Sequence, residues 1–576
     1  TSTTLGKDYS GNGNNWTPNN FSVTAGAGND SLVDTPTPYG SDSGAGGEVR
    51  GNYCVWNPLA KGSDATLANG NLDVSFGSTI STTQQSATLG MSSGKWYWEV
   101  TITASSASPT FAVVGITTKQ FGDSEYPGYT STSWGYRGSD GQKWTNTSGS
   151  SYGASYTTND VIGIAFDADA GTLTFYKNGT SQGTAYSSLA AGTYFPAIGD
   201  QSSSNTFTAA TNFGQRPFAY TAPSGYKALC TQNLPTPTVV QGDDYFNTVL
   251  YSGTGSSQSI TGVGFQPDFS WIKSRSAATD HGLYDAVRGV QKQLESNNSD
   301  SETTESTGLT AFGSDGFTVG ALAQLNTSAA TYAAWNWKAN GAGSSNTQGT
   351  ITATVSANQT AGFSVLTYTG NGTSGATVGH GLGATPTFLI WRRRSYLENW
   401  GVFVSAVCAY GQQLYLNFNT NLSTLGQQRI TGLSSTLITF GTDNTEINAS
   451  GFTYVIYAFA PIPGYSAFGS YVGNANTDGP FVYTGFRPAF ILLKSSSGTA
   501  TDWIILDDKR NTYNVASDIL LPDTSAAEGT DQYSRTDFLS NGFKARSGGT
   551  YGFNISGTTY IYAAFAENPF KYALAR

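Results

Sequence analysis

The sequence predicts an all-β protein, and three observations carry that reading. Charged residues make up only 11% of the 576 residues, whereas aromatics reach 13% and glycine alone numbers 70. This balance favours short strands and tight turns over helices. No long stretch shows a 3.6-residue apolar period dense in Ala, Leu, Glu and Lys, the mark of an amphipathic helix. The third observation is an internal repeat. Pro267-Asp268-Phe269-Ser270-Trp271-Ile272-Lys273 returns as Pro386-Thr387-Phe388-Leu389-Ile390-Trp391-Arg392 and again as Pro488-Ala489-Phe490-Ile491-Leu492-Leu493-Lys494. Proline cannot donate to a ladder and fits the first residue of a strand. The short aromatic and branched run after it reads as a buried strand. The closing cation is expected to stop that run at the surface.

Taken in order, residues 1–48 form an extended, turn-rich segment with Ser10-Gly11-Asn12-Gly13-Asn14-Asn15 and Asp34-Thr35-Pro36-Thr37-Pro38. Such a segment buries little and must lean on a neighbour or a partner chain. Its Asp/Asn/Gly cluster lacks a full calcium-loop signature, so turn chemistry is the reading. Residues 49–228 alternate as strands: Trp96-Tyr97-Trp98-Glu99-Val100, Val113-Val114-Gly115-Ile116, Val161-Ile162-Gly163-Ile164 and Thr172-Leu173-Thr174-Phe175-Tyr176. Asn178-Gly179 then supports a type I′ hairpin turn. Residues 229–241 form a linker, held extended by Pro235 and Pro237.

Three β repeats follow, at 242–345, 346–463 and 464–576. Each keeps four landmarks in order. An opening strand (Tyr245–Gly253, Phe363–Gly370, Phe468–Gly473) precedes the proline strand. A third strand begins Asp280-His281-Gly282, Asn399-Trp400-Gly401 or Asp502-Trp503-Ile504, and the repeat closes on Asn-x5-Tyr: Asn326 and Tyr332, Asn448 and Tyr454, Asn554 and Tyr560. The prolines lie 119 and then 102 residues apart. Steps of that size fit whole jelly-roll-like β-sandwich modules and not solenoid turns, whose periods are roughly 20–50 residues.

The 49–228 region resembles the SPRY domain, on Trp96 to Val100, Asp160 to Gly163, Phe175 to Gly179, Tyr194 to Gly199 and Asn212 to Gly214, in that order. The resemblance implies a concanavalin-like two-sheet sandwich used for binding, with no chemistry of its own.

The net charge of −10 argues against a nucleic-acid partner, which needs a basic face. The Arg392-Arg393-Arg394 cluster reads as a solvated strand end. Cys54, Cys230 and Cys408 are too few and odd for a disulfide framework and read as buried thiols, consistent with assembly in a reducing cytoplasm. No apolar run approaches the ~20 residues of a membrane span, so no membrane insertion is expected. No export signal is visible, and the sequence starts at Thr1.

No catalytic set is evident, and the expectation is a non-enzyme with no cofactor and no metal. His281 and His380 lie in different repeats and read as structural. Asp243-Asp244 and Asp507-Asp508 are adjacent pairs whose side chains point to opposite faces of a strand, so neither converges as glycosidase acids must. Exposed aromatics are the stronger feature. Tyr126, Tyr129, Trp134, Tyr136 and Trp144 lie between framework strands, where sandwiches carry binding function, with a place in the core as the equal alternative for Trp134. Arg393, Arg394, Tyr396 and Trp400 read as a cationic-aromatic patch for an acidic glycan.

The order of parts is similar to a family of tailed-phage virion proteins. The similarity rests on Ser10 to Phe21, Asp34 to Thr37, Asn52 to Leu59, the SPRY-like core, the Lys227 to Pro235 link, and the proline-strand repeat with Asp285-Ala286-Val287-Arg288-Gly289. It implies a tail fibre or appendage on the virion, made in a host cytoplasm. Such a protein would be a homotrimer among other virion proteins, binding a host surface glycan or envelope protein. A head decoration or baseplate component, a surface-polysaccharide depolymerase and a secreted adhesin are the alternatives. The Asp-x-x-Arg piece is clear only in the first repeat; the third has Asp507-Asp508-Lys509-Arg510 and the second has nothing similar.

Overall fold

Two-residue alternation builds the first part of the chain. Trp96, Trp98, Val100 and Ile102 share one face of the strand Lys95–Ser105 and are all buried, as a period of two requires. In hydrogen-bonded order, one sheet runs Ala65–Ala68, Asp73–Phe76, Phe207–Asn212, Lys95–Ser105, Val161–Asp167, Thr172–Lys177, Thr180–Tyr186. The facing sheet runs Thr83–Ser86, Phe195–Asp200, Ala112–Thr117, Ser133–Arg137, Gln142–Thr145, Ser148–Ser151. All pairings are antiparallel. Tyr97 and Glu99, on the opposite face of Lys95–Ser105, are buried as well, because residues 218–227 pass over them.

This computed structural model describes Asn15, Thr17 and residues 51–77, 82–120, 125–202, 204–424, 428–442, 445–549 and 551–573. Apart from those two residues, the segment 1–48 lies outside the described part. The chain divides into two compact units, Thr1–Pro235 and Thr236–Arg576. The linker is shorter than expected. Leu229 N–H donates to Phe213 O and Thr231 N–H to Asn52 O, each at 2.9 Å, so 229–231 belong to the first unit. Val239 is buried in the second unit's core.

In the second unit one four-strand order occurs three times. It runs Phe246–Ser252, Thr331–Trp337, Phe269–Ser274, Gly282–Asp285 in the first copy. The second has Phe363–Thr369, Thr453–Phe459, Phe388–Arg393, Gly401–Val404 and carries two further strands at each edge. The third has Ser466–Val472, Thr559–Pro569, Phe486–Ser495, Ile504–Asp507. A three-stranded sheet accompanies each: Gln258–Thr261, Gly316–Val319, Leu309–Gly313; Thr377–Gly379, Leu437–Phe440, Ile430–Leu433; and Phe481–Tyr483, Gly542–Ala545, Thr536–Leu539. Pro267 and Pro386 stand just outside their strands, whereas Pro488 lies inside Phe486–Ser495 at a register shift, where a missing N–H is tolerated.

The Asn-x5-Tyr landmark is a clamp. Asn326 Oδ1 accepts from Thr254 N–H at 2.8 Å, Asn448 Oδ1 from Asn371 N–H at 2.9 Å, and Asn554 Oδ1 from Asn474 N–H at 2.8 Å. Each tyrosine hydroxyl accepts the N–H of the residue after its asparagine, at 2.8, 2.8 and 3.1 Å. Each also stacks on a tyrosine of the opening strand, with ring centroids 4.9, 5.3 and 5.3 Å apart.

Successive copies meet in one manner, and the third meets the first, so the contacts form a closed cycle. Glu302 N–H donates to Arg394 O at 2.9 Å, Leu422 N–H to Ser496 O at 3.0 Å, and Glu528 N–H to Arg275 O at 2.9 Å. The ring at the start of each third strand reaches a carbonyl of the preceding copy. Trp400 Nε1–H donates to Glu295 O and Trp503 Nε1–H to Tyr415 O, both at 2.7 Å; His281 Nε2 lies 3.0 Å from Leu521 O. Aromatic pairs seal the shared core: Phe269–Tyr457 at 4.3 Å, Phe388–Phe468 at 5.4 Å and Phe246–Phe565 at 5.3 Å.

This cycle corrects the expectation for the cations. Lys273, Arg392 and Lys494 are fully buried, not at the surface. An Arg392 guanidinium N–H donates to Asp300 O of the first copy, and Lys494 Nζ donates to Asn419 O of the second at 3.2 Å. Each strand ends beneath its neighbour, so its cation meets carbonyls in place of water. Burial lowers the pKa of Lys273 and of Lys494 to about 8.

Candidate functional site

Five of the nine expected binding residues fall into two groups, Tyr126 with Tyr129 and Trp144, and Arg393 with Tyr396, and burial separates the rest. In the first unit the loop through Tyr126, Pro127 and Gly128 lies flat on the strands Ser133–Arg137 and Gln142–Thr145. Two glycines permit this approach: a Cβ on Gly135 would stand 2.1 Å from Pro127 O, and one on Gly128 would stand 2.4 Å from Trp144 O. The loop brings the Tyr126 ring within 5.4 Å of Tyr129 and 6.2 Å of Trp144. The Arg137 guanidinium lies 4.2 Å from the centre of the Trp144 ring, within cation–π range.

A hydrogen-bond chain fixes this cluster. Gln201 Nε2–H donates to the Tyr126 hydroxyl at 2.7 Å, Arg137 donates to Gln201 Oε1, and Arg137 Nε–H donates to Asp140 Oδ1 at 3.0 Å. Burial raises the Tyr126 pKa, and the Gln201 bond opposes it. Tyr129 is 38% exposed, whereas Tyr126 is 4% exposed. Tyr129, Trp144 and Arg137 therefore form the accessible surface, with Tyr126 as their support. Trp144 Nε1 is buried and has no hydrogen-bond partner among the described residues.

Trp134 and Tyr136 sit elsewhere. Two residues apart on one strand, they share a face, and that face is the inner one. Tyr136 is fully buried, and Trp134 packs on Tyr194 at 5.5 Å, which meets Phe166 of the other sheet at 5.0 Å. Both are framework, a correction to the binding role expected for them.

The second expected patch is divided in the same way. Trp400 is fully buried in the contact with the first copy. Arg394 makes a two-pronged bond to Glu302, Nε and Nη2 each at 2.9 Å, which also belongs to that contact. Arg393 is buried, pairs with Glu398 at 3.1 Å and lies between the rings of Tyr396 (4.9 Å) and Phe452 (4.8 Å). Only Tyr396, 56% exposed, presents its ring to solvent. The Arg392–Arg394 run is thus an assembly element and not a solvated strand end.

Sequence reasoning passed over the segment Phe218–Lys227, which arches over Tyr97 and Glu99 and lines an open surface pocket of about 480 Å3. The available signal was three aromatics between Pro217 and Lys227. Elsewhere, His380 Nε2 lies 3.2 Å from Ser434 O. Burial lowers His281 to about 3 and raises the Cys54 and Cys408 thiols to about 12 and 11. Among the described residues, no group of three or more His, Cys, Asp or Glu side chains is disposed to hold a metal ion. No helix there is long and apolar enough to cross a membrane.

Comparison with known proteins assigns both units. The SPRY domain matches residues 95–216, and the chain carries that concanavalin-like sandwich. The family described as a domain of unknown function, DUF7483, matches residues 241–569, more than half of the chain. The chain belongs to this family. The DUF7483 match spans the three copies and their closed cycle.

Similar curated proteins include Ran-binding protein 9 of Xenopus tropicalis, 33% identical over 172 residues, which are 29% of this chain and 31% of that protein. The Ran-binding proteins 9/10 homolog of Drosophila melanogaster is 31% identical over the same length, 18% of that protein, and human Ran-binding protein 9 is 31% identical over 23% of its length. This chain therefore spans less than a third of the curated relatives it matches. Among solved structures, the SPRY domain of human HERC1 is similar at 23% identity over 27% of this chain and 96% of that one, with a TM-score of 0.25. The TRIM65 PSpry domain is similar at 18% identity over 28% and 93%, with a TM-score of 0.23.

These relatives overturn the tailed-phage reading. They are animal Ran-binding proteins and not virion components, so the tail-fibre, head-decoration and baseplate roles, host attachment and the virion location fall together. Outside the SPRY and DUF7483 matches that reading rested on Ser10 to Phe21, Asp34 to Thr37, Asn52 to Leu59 and Lys227 to Pro235, of which the first two are rich in the Asn, Gly, Asp and Pro of turn-forming sequences. Such turn chemistry recurs wherever tight loops are needed.

Proposed function

We propose that the chain is a non-enzymatic binding protein whose SPRY sandwich docks a polypeptide through Tyr129, Trp144 and Arg137. The observation that carries this is the pinned aromatic–arginine cluster. Tyr and Trp offer broad faces at low entropic cost, and Arg, Tyr and Trp are the residue types that dominate binding surfaces. The SPRY relatives are named for binding Ran, which supports a protein partner and makes Ran the first probe. In this reading the DUF7483 unit is a rigid scaffold. Its cycle provides within one chain the three-part packing that the sequence suggested for three chains, so the protein works as a monomer.

The test is binding of purified Ran, and of a yeast-displayed peptide library, to the full chain and to its Tyr129→Ala and Trp144→Ala variants. Ligands are expected that bind the parent and lose roughly tenfold or more in each variant. Ligands that bind both variants as well as the parent would sink the assignment. Light scattering checks the monomer, and a trimeric mass would refute that part alone.

A further inference from the structure

The strand Ser148–Ser151 is an unguarded sheet edge, and we infer, resting on the polypeptide-docking reading above, that the partner binds there as an added β-strand. It is the last strand of its sheet, it pairs only with Gln142–Thr145, and all four of its residues are exposed. Asn146 and Thr147 join the two strands with φ of 51° and 59°, the geometry of a two-residue type I′ turn. Such a turn makes Thr145 and Ser148 the hydrogen-bonded closing pair. Bonded and non-bonded pairs then alternate. At Trp144–Gly149 and Gln142–Ser151 the edge residues therefore turn their N–H and C=O groups outward. Sheet edges are commonly guarded by Lys, Pro, a bulge or a cover. Thr180–Tyr186, an edge of the other sheet, pairs with two register irregularities, and Thr83–Ser86, the opposite edge of this one, is buried. Ser-Gly-Ser-Ser carries none of these guards.

The edge continues the aromatic cluster. Gly149 stands opposite Trp144, and Trp144 opposite Gly135, so Gly149 shares the outer face of the sheet with Trp144 and Arg137. A Cβ on Gly149 would stand 2.6 Å from Trp144 Cε2. The indole thus lies across the bare backbone at Gly149 and reaches the edge. An extended polypeptide matches this arrangement. Its outward N–H and C=O groups repeat every two residues, as do those of Gly149 and Ser151. Its side chains on the outer face land beside the Trp144 indole, which has the Arg137 guanidinium 4.2 Å from its ring centre. Aromatic and β-branched residues fit that place best. Backbone pairing with side-chain recognition at alternate positions is how peptides bind sheet edges. A second copy of this chain fits less well. Four residues on each side fall short of the ~800 Å2 per partner of a stable interface, and each copy carries a net charge of −10, which opposes self-association.

The experiment sorts a yeast-displayed library of random decapeptides on the full chain, then measures synthetic copies of the enriched decapeptides by calorimetry and hydrogen exchange. Enriched sequences are expected to carry aromatic or β-branched residues at every second position. Residues 148–151 should exchange more slowly with peptide bound. Ser151→Pro removes an N–H that faces away from Gln142–Thr145, so the hairpin is kept. It should weaken binding roughly fivefold or more, the loss of one backbone bond. If Ser151→Pro misfolds, N-methylation of the peptide tests the same bonds from the other side. Methyl groups on every second residue should weaken binding, and those on the residues between should not. Peptides that lose affinity in Trp144→Ala but bind Ser151→Pro, or every N-methylated form, as well as the parent would overturn strand addition while polypeptide docking stands. A library in which nothing is enriched would overturn both. A dimeric mass by light scattering that Ser151→Pro abolishes would give the edge to a second copy and overturn its assignment to another protein.

Discussion

Asp507 accepts the indole N–H of Trp335 at 3.0 Å, and through that bond the last repeat holds the first. Asp507 also accepts from Arg510 Nε at 2.6 Å, and the Arg510 guanidinium lies 5.7 Å from the Trp335 ring centre. Both charged side chains are fully buried. Between the first and second copies, Asp285 accepts the Tyr457 hydroxyl at 2.8 Å and pairs with the buried Arg288. Two interfaces thus close on the same acid, arginine and aromatic set.

Removing one member of such a set leaves a buried charge uncompensated, which costs about 3–5 kcal/mol. Asp507→Ala is therefore expected to destabilise the second unit by about that amount. Urea unfolding followed by tryptophan fluorescence measures it. A change no larger than that of an exposed loop substitution would show that closure does not depend on this pair.

The middle interface reaches the same end without an acid–arginine pair at these positions. At the positions equivalent to Asp285, Arg288 and Glu302 it has Val404, Val407 and Leu422, and at those equivalent to Tyr457 and Arg394 it has Ala563 and Ser496, with Leu422 N–H donating to Ser496 O at 3.0 Å. Acid, arginine and polar aromatic are absent together. Replacing a complete buried ion set by apolar groups is often neutral, whereas breaking it is not. The triple variant Asp285→Val/Arg288→Met/Tyr457→Phe is expected to be more stable than Asp285→Val alone. A triple variant as unstable as the sum of its parts would mean the charges act independently.

Much of this architecture was legible because strand period and turn chemistry are local. The all-β class followed from composition, and the Asn-x5-Tyr landmark is a clamp made within a single copy. What depends on a neighbour was not legible. Lys273, Arg392 and Lys494 look like strand ends at a surface until another copy covers them. Tyr126, Tyr129 and Tyr136 are chemically alike in sequence, yet the first supports, the second is exposed and the third is core, because a flat loop crosses the sheet there. Glu99 alternates outward as a solvent-facing residue would, and nothing local announces the arch that buries it.

Asp200 gives the first unit a pH dependence. It is fully buried, its Oδ2 has no hydrogen-bond partner among the described residues, and burial raises its pKa to about 7. An unfolded carboxyl titrates near ~3.9. The folded state therefore binds more protons between about 4 and 7, and stability from this group is present at low pH and lost as pH rises through 7. Asp200→Asn should leave the melting temperature unchanged at pH 4 and raise it at pH 8. An equal shift at both would assign the effect to packing.

Lys494 acts in the opposite direction on the second unit. Its folded pKa is lowered to about 8 by burial, with Asp523 and Asp502 opposing, against ~10.4 in an unfolded chain. Between those values the unfolded state binds more protons, so stability rises with pH from about 8 to about 10 as the buried ammonium loses its charge. Lys273 follows the same sense, with its pKa also near 8. Lys494→Met is expected to flatten roughly half of that rise, since two lysines share it, and Lys273→Met/Lys494→Met most of it. Denaturant midpoints at pH 7, 8, 9 and 10 measure the slope. If the parent shows none, the two amines titrate in the folded state as they do in the unfolded chain, and their burial carries no charge penalty.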